Sequence, residues 1–355
     1  MLSSQQIKEI REHLDKAQNP VFFFDNDQDG LCSFLLLQRA SGKGKGVPIR
    51  SFPSLDKDYF RKVRELKADY IFILDKPLVS KGFFEEVEKE NIPVVWIDHH
   101  QMAETVVPDF VNYYNPAVQT GDGKKSYEPV TYLSYSVTQK KEDLWIALIG
   151  CISDKFMPEF VDDVKKEFPE LMNNSKDAFG IFYGSQIGRV ARILGFGLKD
   201  KTTNVILMLK FLMKVRSPHD ILEESSKNKQ MHERFDQIYG KYQKFLQKAL
   251  SLEPSEEEKV LFFQYGGDMS LSSDLSNELS YLYPEKIIVV IYISGVKANI
   301  SIRGKKIKNI LLESVKNIEN ATAGGHEDAL GATVRIEDLE LFKKNFENLV
   351  SEKYK

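Results

Sequence analysis

Four short segments hold the residues best suited to chemistry. Asp25-Asn-Asp27-Gln-Asp29-Gly30 sets three carboxylates at alternate positions and closes on a glycine. A turn of that kind can fold its carboxylates inward around a hard cation. A calcium loop opens with the same D-x-D-x-D-G pattern, but it needs a bidentate Glu at position twelve and a helix in front. Position twelve here is Leu36, and the apolar run at 20–24 has the length of a strand, so the calcium-loop reading fails. Capping a following helix would take one carboxylate, such as Asp29, rather than three. Asp75 follows the run at 70–74, Asp98-His99-His100 follows 93–97, and Asp154 follows Ile149-Gly-Cys-Ile-Ser153. Each is read as lying at a strand end. Adjacent residues of an extended chain point to opposite sides. One histidine is therefore expected to bind a metal, and the other to steady a ligand or meet the substrate.

Together these segments supply about five carboxylates and one or two imidazoles, a donor set suited to a pair of hard divalent ions such as Mn²⁺ or Mg²⁺. A further cluster lies late in the chain. Lys297-Ala-Asn-Ile-Ser-Ile-Arg303-Gly-Lys305-Lys306-Ile-Lys308 carries five positive charges and no acid. Gly324-Gly325-His326 follows, with glycines that let backbone N–H groups approach a ligand. With Arg303 at a strand end and His326 after the glycine pair, an anion site is the expectation.

The elements that must position these groups follow from hydrophobic period. Runs at 20–24, 70–74 and 93–97 are nearly continuous apolar stretches, as in strands buried on both faces of a parallel sheet. Helical spacing fills 31–40, 57–66 and 80–90 between them. This β–α repeat predicts a doubly wound, mostly parallel α/β domain, in which the carboxyl ends of the strands form one crevice. Gly42–Gly46 reads as a flexible basic turn, and residues 113–128 as an irregular loop rich in Asn, Pro, Gly and Lys. Helices are expected at 129–138 and 141–152, with a tight turn-and-helix segment at 177–198. From 202 to 252 the pattern is almost wholly helical, with no strong turn signal beyond Gly240. A small α/β domain follows, with strands at 260–265, 286–293 and 297–303 and helices at 270–281, 306–318 and 336–351. The expected organisation is a domain at 1–200, a helical linker at 201–255 and a smaller α/β domain at 256–355, with the catalytic cleft between the two domains.

Composition narrows the class. The chain has 355 residues, 42% hydrophobic and 28% charged, which excludes a disordered chain. No apolar run approaches the roughly 20 residues of a membrane helix, and the polar amphipathic N-terminus has no apolar signal core, so no membrane partner is expected. Cys32 and Cys151 are the only cysteines, which leaves no disulfide framework and no CxxC zinc site. A reducing, cytoplasmic setting is the default. The balance of 49 basic to 52 acidic residues offers no global basic field for nucleic acid.

The ordered set D-x-D-x-D-G, strand-end Asp, D-H-H, strand-end Asp and G-G-H-x-x-A-x-G resembles the DHH phosphoesterase superfamily. More narrowly, it is similar to the RecJ-like branch with a GGH-type C-terminal domain, across nearly the whole chain. The resemblance implies a DHH catalytic domain at 1–200 and a substrate-binding domain at 256–355. It implies that Asp25, Asp27 and Asp29 surround two Mn²⁺ or Mg²⁺ ions, that Asp75 bridges them, and that His99 and Asp154 complete the second. Asp98 and His100, catalytic together with His99, would orient ligands or meet the scissile phosphate. Arg303, Gly324, Gly325 and His326 would hold substrate phosphates. Lys76-Pro77 stands where RecJ-like sequences have an Asn-Gly-type turn, so a different local loop is expected. The chain ends soon after the GGH segment, which makes compact archaeal-type RecJ relatives look closer.

The implied activity is a metal-dependent exonuclease on single-stranded DNA or RNA. Two alternatives stay open. One is a phosphodiesterase for nanoRNA, pAp or cyclic dinucleotides, and the other an inactive scaffold-type DHH protein of a replication complex. A replication or repair protein partner is compatible with any of them. Two bound divalent ions would move the formal charge from −3 to about +1, so the sorting of charge within a site outweighs the net value.

Overall fold

The computed structural model describes residues 1–355 except 52–53, 102–105, 119–125, 253–254, 256, 326 and 354–355. The chain divides into two compact units, Met1–Asp236 and Gln237–Lys355. The division falls inside the helix Lys229–Leu250.

The first unit has strands β1 (Pro20–Asp25), β2 (Lys45–Ile49), β3 (Ser54–Leu55), β4 (Tyr70–Leu74), β5 (Leu78–Val79), β6 (Val94–Ile97) and β7 (Val111–Tyr114). Five of them form a wholly parallel sheet in the order β2-β1-β4-β6-β7, and β3 pairs with β5 beside it. The apolar runs make the inner strands because both of their faces are covered. Val21, Phe23, Ile71, Ile73, Val94 and Trp96 pack with Phe60, Val63, Phe83 and Val87 from the helices Phe60–Leu66 and Lys81–Glu90. Phe22 and Phe24 instead meet the Phe34 ring of the helix Gln28–Ser41, at 5.6 and 5.2 Å between centroids. Burying each such side chain contributes about 1.5–3 kcal/mol, which holds the central strands in register. Helices therefore cover both faces, as doubly wound topology requires. From β1 the chain crosses to β2 on one side, whereas β4, β6 and β7 add on the other. Strand order thus reverses beside β1, where such sheets open a ligand crevice.

Several elements depart from the expectations. Gly42 closes the helix Gln28–Ser41 at φ +69°, but the basic turn ends at Gly44 and β2 begins at Lys45. A Cβ on Gly46 would lie 2.7 Å from the Phe34 ring, so glycine sits in this strand to admit an aromatic. Residues 113–114, expected in a loop, complete the edge strand β7, in which only Val111 and Tyr114 are buried. Asp154 follows a helix, Leu144–Ser153, and is its C-cap rather than the end of a strand.

The stretch from 202 to 252 breaks into helices Thr202–Leu212, His219–Leu222 and Lys229–Leu250. The second break is built by Asn228, whose Oδ1 accepts from the Ser225 N–H at 2.7 Å. Its Nδ2 donates to the Asp220 and Glu223 carbonyls at 3.1 and 2.9 Å. Gly240, the expected turn signal, lies within the long helix.

The second unit carries β8 (Val260–Gly266), β9 (Ile287–Ser294), β10 (Lys297–Arg303), β11 (Thr322–Gly325) and β12 (Ala329–Arg335) in the order β11-β12-β10-β9-β8. Only β8 and β9 pair in parallel. Leu311, Phe342 and Phe346 from the helices Lys308–Val315 and Leu339–Lys353 share one core with Val289, Ile291, Ile300 and Ile302. After the glycine pair the sequence leaves a helix or a strand start open, and the chain there forms β12, paired with β11, whose Gly and Ala residues carry little β signal.

Candidate metal centre

The first carboxylate motif spans a strand-to-helix turn. Asp25 ends β1, and Asp27 rather than Asp29 caps the helix Gln28–Ser41, its side chain accepting from the Gly30 N–H at 3.0 Å. Gly30 is required there, since a Cβ would lie 2.4 Å from the Asp25 carbonyl oxygen. Asp29 in the first turn is buried, and its carboxylate accepts from the Val130 and Thr131 N–H groups at 2.9 and 2.7 Å. Those amides open the helix Val130–Thr138, whose N-terminus thereby stabilises the anion.

Asp75 directly follows β4 in the left-handed region, at φ +57°, and is 2% exposed. Its amide continues the ladder to the Ile97 carbonyl at 3.0 Å. Its Oδ1 lies 3.4 Å from His99 Nε2 and 3.9 Å from His100 Nδ1, and it accepts no hydrogen bond among the described residues. Asp98 is fully buried after β6. Its Oδ1 takes the His100 ring at 2.7 Å, and its Oδ2 accepts from the His100 N–H and Asn115 Nδ2, both at 3.2 Å. His99 Nε2 also approaches the half-exposed Asp154 at 3.8 Å. The two rings stand edge to face, 4.6 Å apart, and both approach Asp75. Opposite orientation, expected from strand pleating, does not occur because β6 ends at Ile97 and the alternation ends with it.

Three groups of potential ligand atoms result: Asp25, Asp27 and Asp75; Asp29, His99 and Asp154; and Asp75, His99 and His100. Within each the atoms lie within 4.8 Å of one another. Asp75 and His99 each belong to two groups. Two residues that the sequence reading assigned no role are part of this architecture. Asn115, fully buried after β7, donates to Asp98 and to the His100 carbonyl, the latter at 2.9 Å. Its only sequence signal is a polar residue closing an edge strand. Lys76, also fully buried, donates to Asp25 Oδ1 at 2.9 Å and to the Ser51 carbonyl at 2.7 Å.

Crowding of carboxylates sets the electrostatics. Burial, then the charges of Asp29, Asp27 and Asp25, push Asp75 far above the carboxylate range. Asp27 keeps solvent contact at its own surface, yet the surrounding protein and the neighbouring Asp25 and Asp29 push it up to about 7. Burial pulls His100 down, but the Asp98 carboxylate against it wins and lifts it to about 9. Carboxylates held so close with an oxygen left unpaired are what a divalent cation relieves, and an oxygen-rich set with one or two imidazoles fits Mn²⁺ or Mg²⁺.

In the second unit Arg303 ends β10, with Nε donating to Asn277 Oδ1 at 2.6 Å. Pairing of Arg303 with Ala329 and of Gly325 with Leu330 sets both at one end of the sheet, flanking the start of β12. Gly324 precedes Gly325 in β11, and Gly325, at φ +128°, allows no Cβ, which would meet the Ala329 carbonyl at 2.5 Å. His326 lies outside the described residues.

No protein-family model matches the sequence, and no curated protein matches it. Among solved structures it is similar to RecJ in complex with Mn²⁺ from Thermus thermophilus, with a TM-score of 0.70 at 14% identity over 98% of this chain and 54% of that one. The chain thus spans about half the length of that protein. An exonuclease RecJ bound to manganese gives 0.64 at 14% identity, covering 98% of this chain and 94% of that one. The DHH domain of a protein placed in a family of ribosomal proteins gives 0.62 at 16%, covering 98% and 89%. The chain therefore has the RecJ-like fold of DHH-domain proteins, a parallel five-stranded α/β unit followed by a smaller sheet unit.

Proposed function

We propose that this protein is a DHH-superfamily phosphoesterase that uses Mn²⁺ or Mg²⁺ to hydrolyse terminal phosphodiester bonds of single-stranded DNA or RNA. The observation that carries this reading is the convergence of Asp25, Asp27, Asp75, His99 and Asp154 at the reversal of strand order in a RecJ-like fold. Divalent ions held there would supply a water of lowered pKa and positive charge for the phosphate oxygens. Asp75, shared between ligand groups, is the residue that would tie them together. Asp98 and Asn115 fix His100, and the Asp98 carboxylate favours its protonated ring, which can donate to a phosphate oxygen beside Asp75. Arg303 would hold a substrate phosphate, with its guanidinium steered by Asn277.

The test is an oligonucleotide of about 20 nucleotides, DNA or RNA, labelled at either end and incubated with Mn²⁺. Release of mononucleotides from one end is the expected result. A protein that stalls on this substrate but cleaves dinucleotides is instead a small-substrate phosphodiesterase. Asp75→Ala and His99→Ala are expected to abolish turnover with the fold intact by circular dichroism. Retention of about a tenth or more of wild-type turnover would overturn their assignment.

A further inference from the structure

A positively charged side chain is built into the carboxylate cluster itself. Lys76 is fully buried, and its Nζ lies 2.9 Å from Asp25 Oδ1, within one of the three ligand groups. The chain around it fixes that position. Asp75 turns through φ +57°, which redirects the backbone after β4. The Lys76 carbonyl accepts from the Nε1 of fully buried Trp96 at 2.9 Å, and the ammonium donates to the Ser51 carbonyl at 2.7 Å. A buried ammonium needs paired and hydrogen-bonded surroundings, and Asp25 and Ser51 provide them. A divalent ion at Asp25, Asp27 and Asp75 would have to share the partly buried Asp25 with the charge of a fully buried lysine, and the two positive charges repel. The group around Asp29, His99 and Asp154 is built differently, since backbone amides of Val130 and Thr131 hold the Asp29 carboxylate in place.

We infer that Lys76 takes the place of one divalent cation, so that the protein holds a single tight ion, at Asp29, His99 and Asp154, rather than a pair. The inference rests on the metal-dependent reading above and refines it. The ion pair with Lys76 holds Asp25 in place, which preorganises the turn before any ion arrives. A second ion binds only by displacing or repelling the ammonium, and its affinity is expected to be weaker by about a hundredfold or more.

Metal content decides the matter without any assay of turnover. The full chain, stripped with chelator and dialysed against micromolar Mn²⁺, is analysed for bound manganese and by electron paramagnetic resonance, alongside Lys76→Met and Lys76→Gln. The wild type is expected to hold one ion with the six-line signal of isolated Mn²⁺. The variants are expected to hold two, with the spectrum of an exchange-coupled pair. Two tight ions in the wild type would overturn the role of Lys76 and leave the metal-dependent reading standing. A wild type with no ion would overturn both. One ion in the wild type and in a variant with native circular dichroism would show that something other than the lysine limits occupancy, and would overturn the inference. Because the wild-type count alone can refute it, poor folding of one variant leaves the test intact.

Discussion

Asp27 and Asp75 share one electrostatic problem, in that burial and neighbouring carboxylates both penalise their charged forms. A carboxyl group whose folded value is raised above its unfolded value binds more protons in the folded state across the interval between the two. Stability from such groups is present at low pH and is lost as pH rises, here from about 4 towards 7 and beyond. Chelator-treated protein is therefore expected to show these residues' contribution to its unfolding temperature fall between about pH 5.5 and 7.5. A cation held beside these carboxyl groups favours their charged forms, so stabilisation by Mn²⁺ should be larger at the higher pH, with apparent affinity rising by up to about tenfold per pH unit for each proton released. Thermal unfolding with and without Mn²⁺ at the two pH values measures this. An equal gain at both would show that the ion does not act on the charge of these carboxyl groups. The three aspartates of the first motif were legible from spacing, because alternate carboxylates before a glycine exceed what a cap needs. Asn115 was not, since one Asn after a half-exposed strand has no pattern, and Lys76 was visible only as a departure. Its burial against Asp25 is a fact of three dimensions.

At the scale of elements, the site depends on how closely three helices approach behind it. Gly150 of the helix Leu144–Ser153 faces Thr131, and an added Cβ would lie 2.1 Å from Thr131 Oγ1. Thr131 is in turn tied to Asp29, its N–H donating to the carboxylate and its hydroxyl to the Asp29 carbonyl at 2.9 Å. Asp154 caps the helix that carries Gly150. Gly150→Ala is thus expected to cost about 1–3 kcal/mol through overpacking. It should also weaken Mn²⁺ binding, because it shifts Asp29 and Asp154 apart. Denaturant unfolding and calorimetric titration read the two effects separately. Lost stability with unchanged affinity would break the proposed coupling. The inner strands were legible because burial on both faces writes a continuous apolar run, as at 70–74. The edge strands β2 and β7 were not, since one face of each is free to be polar or glycine. The helical break at 223–228 escaped because its signal is a side-chain cap by Asn228 rather than a glycine or proline.

At the scale of the whole molecule the candidate residues fall in two units, the acidic cluster in Met1–Asp236 and the Arg303 and glycine-pair segment in Gln237–Lys355. That division was foreshadowed by the separation of the motifs along the chain, although net charge, at −3, concealed it. If the second unit handles substrate and the first holds metal, their mutants should separate in kinetics. A charge-assisted hydrogen bond contributes about 1.5–3 kcal/mol, so Arg303→Ala should raise KM for a single-stranded oligonucleotide by about tenfold or more. Mn²⁺ affinity, set in the other unit, should stay as in the wild type. Asn277→Ala removes only the partner that aims Nε, which lies 2.6 Å away, and keeps the charge. Its rise in KM should therefore be smaller, and Arg303→Lys should fall between the two because it keeps the charge without the planar fork. Steady-state kinetics at saturating Mn²⁺ give KM and kcat for each variant. If Arg303→Ala lowered kcat at unchanged KM, the arginine would act on the transition state rather than on binding. If it weakened Mn²⁺ instead, metal and phosphate handling would not be separable by unit, and the assignment of Arg303 to substrate would fail.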